Sequence, residues 1–113
     1  MAGYTSRIAW EPLRSLDSAT LAGAYVAIGA PLAHPSYICK LVNASNVLVT
    51  ISINGTSDID VAPANSFWLY DEGKGSQAYQ IALPQGTQFY VKSATGAAGV
   101  GLIYLVNQYI VLN

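Results

Sequence analysis

Apolar and polar residues alternate with period two along most of the chain, and this period, not the helical one, dominates the pattern. Val47, Val49, Ile51 and Ile53 fall on one side of an extended segment, with Leu48, Thr50 and Ser52 on the other, which predicts a half-buried β-strand. Asn54-Gly55 follows, a pair that tolerates positive φ and suits a hairpin turn. Ile59 and Val61, alternating with Asp58 and Asp60, read as a short return strand that Pro63 ends, since proline has no N–H to give a ladder. The same grammar predicts strands over 24–28, 37–42, 66–70, 79–83, 87–93 and 100–112. Between them lie turn-forming stretches such as Pro84-Gln85-Gly86 and the polar segment Asp71-Glu72-Gly73-Lys74-Gly75-Ser76. Short strands separated by turn chemistry are the mark of an antiparallel sandwich or barrel.

Two segments depart from this pattern. Residues 1–20 hold Tyr4, Ile8, Trp10, Pro12, Leu13 and Leu16 in no clean period and read as an extended N-terminal arm, with a helical turn or cap at Ser15-Leu16-Asp17-Ser18. The last strand is apolar on both sides. Leu102, Tyr104, Val106, Ile110 and Leu112 form one set, interrupted by Gln108, and Ile103, Leu105, Tyr109 and Val111 form the other. A half-exposed strand alternates, so this one is expected to be central in a two-layer core or buried against another chain.

Composition sharpens that expectation. The 113 residues are 52% hydrophobic and only 10% charged, which excludes a disordered chain and leaves few charges to cover an isolated surface. Net charge is −1, and the five basic residues are scattered, so the phosphate-neutralising stripe of a nucleic-acid binder is missing. One cysteine, Cys39, permits no intrachain disulfide and reads as a small buried hydrophobe on the strand face of Tyr37 and Leu41. The first residues carry no basic-then-apolar leader pattern. The apolar stretch 97–112 is interrupted by Asn107 and Gln108 and falls short of the ~20 residues of a membrane helix. The expectation is a cytosolically made, non-membrane protein.

Candidate chemistry is sparse. His34, the one histidine, stands between Ala33 and Pro35 without a nucleophile motif beside it, and reads as a turn histidine with a satisfied hydrogen bond. Asp58 and Asp60 could share a Ca²⁺ but lack the further oxygen ligands calcium needs; solvated carboxylates guarding an edge strand explain them better. The Gly73-Lys74-Gly75-Ser76-Gln77-Ala78 segment superficially fits a dinucleotide fingerprint, but a strand follows it where a helix is required. No cofactor, metal or catalytic residue is expected. Eight tyrosines and two tryptophans allow three readings: a carbohydrate-stacking platform, strand filler, or interface anchors. Trp10, Leu13, Tyr104, Tyr109, Ile110 and Leu112, in the arm and the two-faced strand, are the candidate assembly residues.

The phrases Leu16-Asp17-Ser18-Ala19-Thr20, Ile28-Gly29-Ala30-Pro31-Leu32, Ile51-Ser52-Ile53-Asn54-Gly55, Pro63-Ala64-Asn65-Ser66 and Pro84-Gln85-Gly86-Thr87-Gln88-Phe89-Tyr90-Val91 resemble small virion structural proteins of tailed bacteriophages, over about residues 15–106. The Trp10 arm and Asn107–Asn113 stand outside the shared pattern. The resemblance implies a non-enzymatic role in the virion, with assembly in the bacterial host cytoplasm. The protein would be a capsid decoration or cement protein that binds the major capsid protein and itself, commonly as a homotrimer. The alternative is a neck, collar or tail component, including a fibre base, with portal, neck or tail proteins as partners; a carbohydrate-binding module is third. The fold expected is all-β, an antiparallel sandwich of jelly-roll type with about eight strands, an arm over 1–20 and a single domain over 21–113.

Overall fold

The computed structural model describes residues 6–71 and 82–112. They form nine strands: β1 (Ser6–Trp10), β2 (Arg14–Asp17), β3 (Val26–Ala27), β4 (Ile38–Ser45), β5 (Val49–Ser52), β6 (Asp60–Ala62), β7 (Ser66–Asp71), β8 (Tyr90–Ser93) and β9 (Gly101–Leu112). One 3-10 turn, Ser18–Thr20, is capped by the Asp17 carboxylate, which accepts from the Ala19 N–H at 3.0 Å. The fold is all-β, with two antiparallel sheets. The first runs β1-β9-β4-β7 with β2 also on β9, and the second runs β3-β8-β5-β6. No helix among the described residues is long and apolar enough to cross a membrane.

The segment expected to be an arm is extended, and its described part lies on the body of the same chain. β1 and β2 occupy one edge of β9: Trp10 stands opposite Gln108, and Arg14 opposite Leu105. Residues 11–13 therefore face only 106–107, and the extra residue makes a bulge at Pro12, which has no N–H to pair. Taking β1 and β2 as one interrupted strand, the described residues form eight. The first then pairs with the last, the second with the seventh, the third with the sixth and the fourth with the fifth, the pairing of one long hairpin folded over on itself. β4 and β9 join the halves of the first sheet over eight residue pairs. Gly101 permits their close approach: its φ is +112°, and a Cβ there would sit 2.3 Å from the Ala44 carbonyl oxygen.

The inward faces share one core, with Cys39, Leu41, Ile103 and Leu105 from the first sheet and Val49, Ile51, Ala62 and Val91 from the second. Phe89, just before β8, is 1% exposed and meets the Trp68 ring edge-on, at 6.0 Å between centroids. Each such aliphatic or aromatic side chain, fully buried, contributes about 1.5–3 kcal/mol relative to exposure. β9 is central, as its two apolar sets required: Ile103 and Leu105 enter the core, while Leu102 and Ile110 remain exposed.

The return strand differs from the expectation. A loop over 53–59 separates β5 from β6, organised by the Asn54 side chain, whose Oδ1 accepts from the N–H groups of Thr56 and Ser57. β6 then pairs so that Ala62 is buried and Ile59 and Val61 are exposed. Asp60 decides this register: its carboxylate takes the Trp68 indole N–H and the Val61 amide, tying the edge of one sheet to the other. The glycine-bearing segment and the expected strand around Tyr79 and Ile81 lie outside the described residues; Leu83 forms an isolated bridge with Ser36.

Candidate assembly surface

In a strand, residues directly opposite one another share a face. On the side of the first sheet away from the core, Ile8 stands opposite Ile110, Trp10 opposite Gln108, Tyr104 opposite Val42, Val42 opposite Phe67, and Lys40 between Val106 and Leu69. Trp10 is 61% exposed, Phe67 57% and Leu69 50%. With Ile8, Leu102 and Ile110 exposed and Val42, Tyr104 and Val106 half-buried, the face presents roughly 600–700 Å² of apolar surface, taking ~150–250 Å² for a whole large side chain. A typical monomer's largest apolar patch is about 300–600 Å². Among the described residues Lys40 is the one charge inside this face, with Asp17 and Asp71 at its margins.

The sequence-predicted residues divide. Trp10, Tyr104 and Ile110 come together on this face, and Leu13, 61% exposed, stands at the bulge beside it. Tyr109 alternates to the opposite side of β9, where its ring stacks on His34 at 3.7 Å with a 2° interplanar angle. The side chain of Leu112 lies outside the described residues. Phe67, Leu69 and Val42, which widen the patch across β4 and β7, were not singled out from the sequence. Their signal is that β4 and β7, like β9, carry apolar residues on both faces.

Beneath Trp10 lies a polar clamp. In an unbroken strand, residues three apart point to opposite faces; the bulge at Pro12 instead puts Glu11 and Arg14 together. Glu11 is 6% exposed. Its carboxylate accepts from Arg14 Nη2 at 2.8 Å, the Ala33 N–H at 3.2 Å and the His34 N–H at 2.9 Å, and lies 3.2 Å from His34 Nδ1. Burial pushes its pKa up, but the bonds from Arg14, Ala33 and His34 outweigh this and hold it below the usual carboxylate value. Arg14 uses its remaining N–H groups on the carbonyls of Ala30, Pro31 and Pro12 and on Asn107 Oδ1, so all five donors are engaged. Asn107 Nδ2 in turn donates to Cys39 Sγ at 3.1 Å, and burial pushes that thiol up to about 12. His34 is thus the hydrogen-bonded turn histidine expected. With the Glu11 carboxylate and all five Arg14 donors committed within the chain, this cluster fixes β1 and the 30–34 loop to β9.

The other candidate ion site is similarly engaged. Asp58 accepts from Tyr25 Oη and lies 3.3 Å from Lys92 Nζ, whose ammonium stands 4.7 Å from the Tyr25 ring centroid. Hydrogen bonds from Tyr25 and Lys92 hold the Asp58 carboxyl low. Among the described residues no cluster of three or more His, Cys, Asp or Glu side chains could hold a metal ion. Comparison with protein-family models, with curated proteins and with solved structures finds no match.

Proposed function

We propose that this chain is a non-enzymatic structural protein of a tailed-bacteriophage virion, a decoration or cement protein that joins its own copies and the major capsid protein as a homotrimer. The observation that carries the reading is the uncovered apolar face of the first sheet. It is close in area to the ~800 Å² that each partner gives a standard protein interface, and it is nearly free of charge, as interface cores are. A cement needs apolar area to bury, and the clamp around Glu11 holds this area stiff. The fold we assign is a sandwich of jelly-roll type. Its support is the nested pairing of eight strands across two sheets over one core, the arrangement of many viral shell domains, together with the resemblance of residues 15–106 to small phage virion proteins.

The test is attachment and stoichiometry on intact particles. A copy number matching the capsid shell, lost when Leu69→Glu charges the face, is the expected result. A number matching a single ring of portal, neck or tail subunits moves the protein to that alternative, and no attachment overturns the virion reading. A glycan platform has less in its favour, because the Trp68 ring is half-buried, bonded to Asp60 and packed on Phe89.

A further inference from the structure

We propose that copies of this chain join by seating Trp10 of one copy in a groove at the opposite margin of the same face of the next. This rests on the assembly reading above and deepens it by naming the contact. The groove lies between β4 and β7, near the turn where Asn65 adopts a φ of +55°. It has a volume of about 460 Å³, with Val42 and Ala44, Phe67, and Lys40, Asn65 and Ser66 among its lining. These supply two aliphatic side chains, an aromatic ring, an ammonium and an amide. An indole matches that set on each count: an apolar ring for Val42, Ala44 and Phe67, a π-face for the Lys40 ammonium, and one N–H for the side-chain oxygen of Asn65.

Trp10 is the most exposed aromatic side chain among the described residues, and it cannot fill its own groove. It stands at the level of Gln108 on β1, whereas Val42 and Ala44 stand at the levels of Tyr104 and Leu102. Four to six residues along β9 and two to three strand spacings across the sheet separate them by about 20 Å, at ~3.4 Å per residue and ~4.8 Å per strand. A knob and a hole on one face, too far apart to meet within a chain, are satisfied only between copies. Repeated head to tail, the contact closes a ring, in which each member of the proposed homotrimer gives one Trp10 and receives one.

The experiment measures mass in solution for the full chain, for Trp10→Ala, for Ala44→Trp, which plugs the groove at an exposed position, and for an equimolar mixture of the two variants. The unaltered protein is expected to be oligomeric, and each variant alone to self-associate about 30-fold more weakly, the loss typical of a buried tryptophan anchor. The mixture is expected to yield one-to-one pairs, because one variant keeps the groove and the other the knob. A monomeric unaltered protein, variants that keep its mass, or a mixture that stays monomeric would each overturn the contact. An unaltered protein that is dimeric keeps the contact as a reciprocal pair and overturns the homotrimer instead. Particle attachment by a monomeric protein would leave the virion reading standing without this contact. Should a variant fail to fold, Trp68→Phe makes Trp10 the sole tryptophan. Its emission is then expected to shift to shorter wavelength on concentration, and Phe67→Ser to abolish the shift; an unchanged emission overturns the contact.

Discussion

The two sheets turn opposite characters outward. The first presents Ile8, Trp10, Phe67, Leu69, Leu102 and Ile110 across its strands, whereas on the second Thr50 and Ser52 are themselves buried beside the half-buried Lys92 and Tyr90, and Lys92 is tied to Asp58 and Tyr25. Where the second sheet exposes apolar groups, at Ile53, Ile59 and Val61, they follow the edge strand and its loop and are interleaved with Asp58 and Asp60. Both sheets pack on one core, so folding alone accounts for the inward face of each. The outward difference is additional information in the sequence: on one sheet the charged groups are satisfied within the chain, and on the other an apolar, nearly uncharged surface stays exposed.

The change that breaks the comparison most completely removes the apolar face as a surface. Gly101→Ala would drive a Cβ into the Ala44 carbonyl at a φ that side chains rarely adopt, at the seam between β4 and β9. A loss of about 3 kcal/mol or more is expected, read by urea or thermal unfolding, and with it the face common to β9, β4 and β7. Glu11→Ala comes next. It leaves the largely buried Arg14 guanidinium without its carboxylate, a change that costs about 3 kcal/mol for buried pairs, and it frees the strand that carries Trp10. The pH dependence has a definite sign. Because the Glu11 pKa is lowered on folding from 4.5, its contribution is present above that value and is lost as pH falls through the folded value. The stability gap between the unaltered protein and Glu11→Ala should therefore close below about pH 4.5, and a gap that stays constant into acid would show that Glu11 is not the group responsible.

Much of this architecture was legible in the alternation. Val49, Ile51, Phe89 and Val91 are buried where period two placed them, and the doubly apolar β9 is central. The arm was legible as extended, but its docking was not, because Pro12 interrupts the alternation and hides that β1 and β2 lie along one edge. The same bulge hid the clamp. One extra residue in the edge strand turns both Glu11 and Arg14 inward, and their partners at Ala33, His34 and Asn107 come from distant parts of the chain. The alternation of Ile59 and Val61 with Asp58 and Asp60 marks a return strand but not its facing, since hydrophobicity says nothing of the bonds by which the Trp68 indole and the Val61 amide hold Asp60. Of the assembly residues, Tyr104 and Ile110 share the face their parity gave them and Trp10 joins it through the β1–β9 register, whereas Tyr109 belongs by the same parity to the other side, under His34.

A charge placed on each outward face tests whether the difference matters beyond folding. Leu69→Glu stands opposite Lys40, and Val61→Glu opposite Thr50. Both positions are about half exposed, so each should shift unfolding by no more than ~0.5–1 kcal/mol. Only the first is expected to abolish self-association and particle attachment. Equal effects of the two substitutions would mean that the apolar face has no special role.

The smallest effect belongs to the second sheet's ionic group, and it sharpens the contrast by showing how little that face stores. Asp58 is exposed, and pairs of this kind contribute little to stability, so Asp58→Asn should leave the neutral-pH unfolding midpoint in place. What it should move is Tyr25. Burial and then the Asp58 carboxylate push that phenol from 10.0 up to about 12, so the folded state loses stability as pH rises through that interval, where the unfolded chain ionises first. Removing the carboxylate removes the second cause and leaves the larger one. In an ultraviolet pH titration the Tyr25 transition of Asp58→Asn is therefore expected to fall from about 12 part of the way towards 10. A transition that stayed in place would mean that burial accounts for all of it, and that the carboxylate beside Tyr25 serves the surface only as a solvated charge.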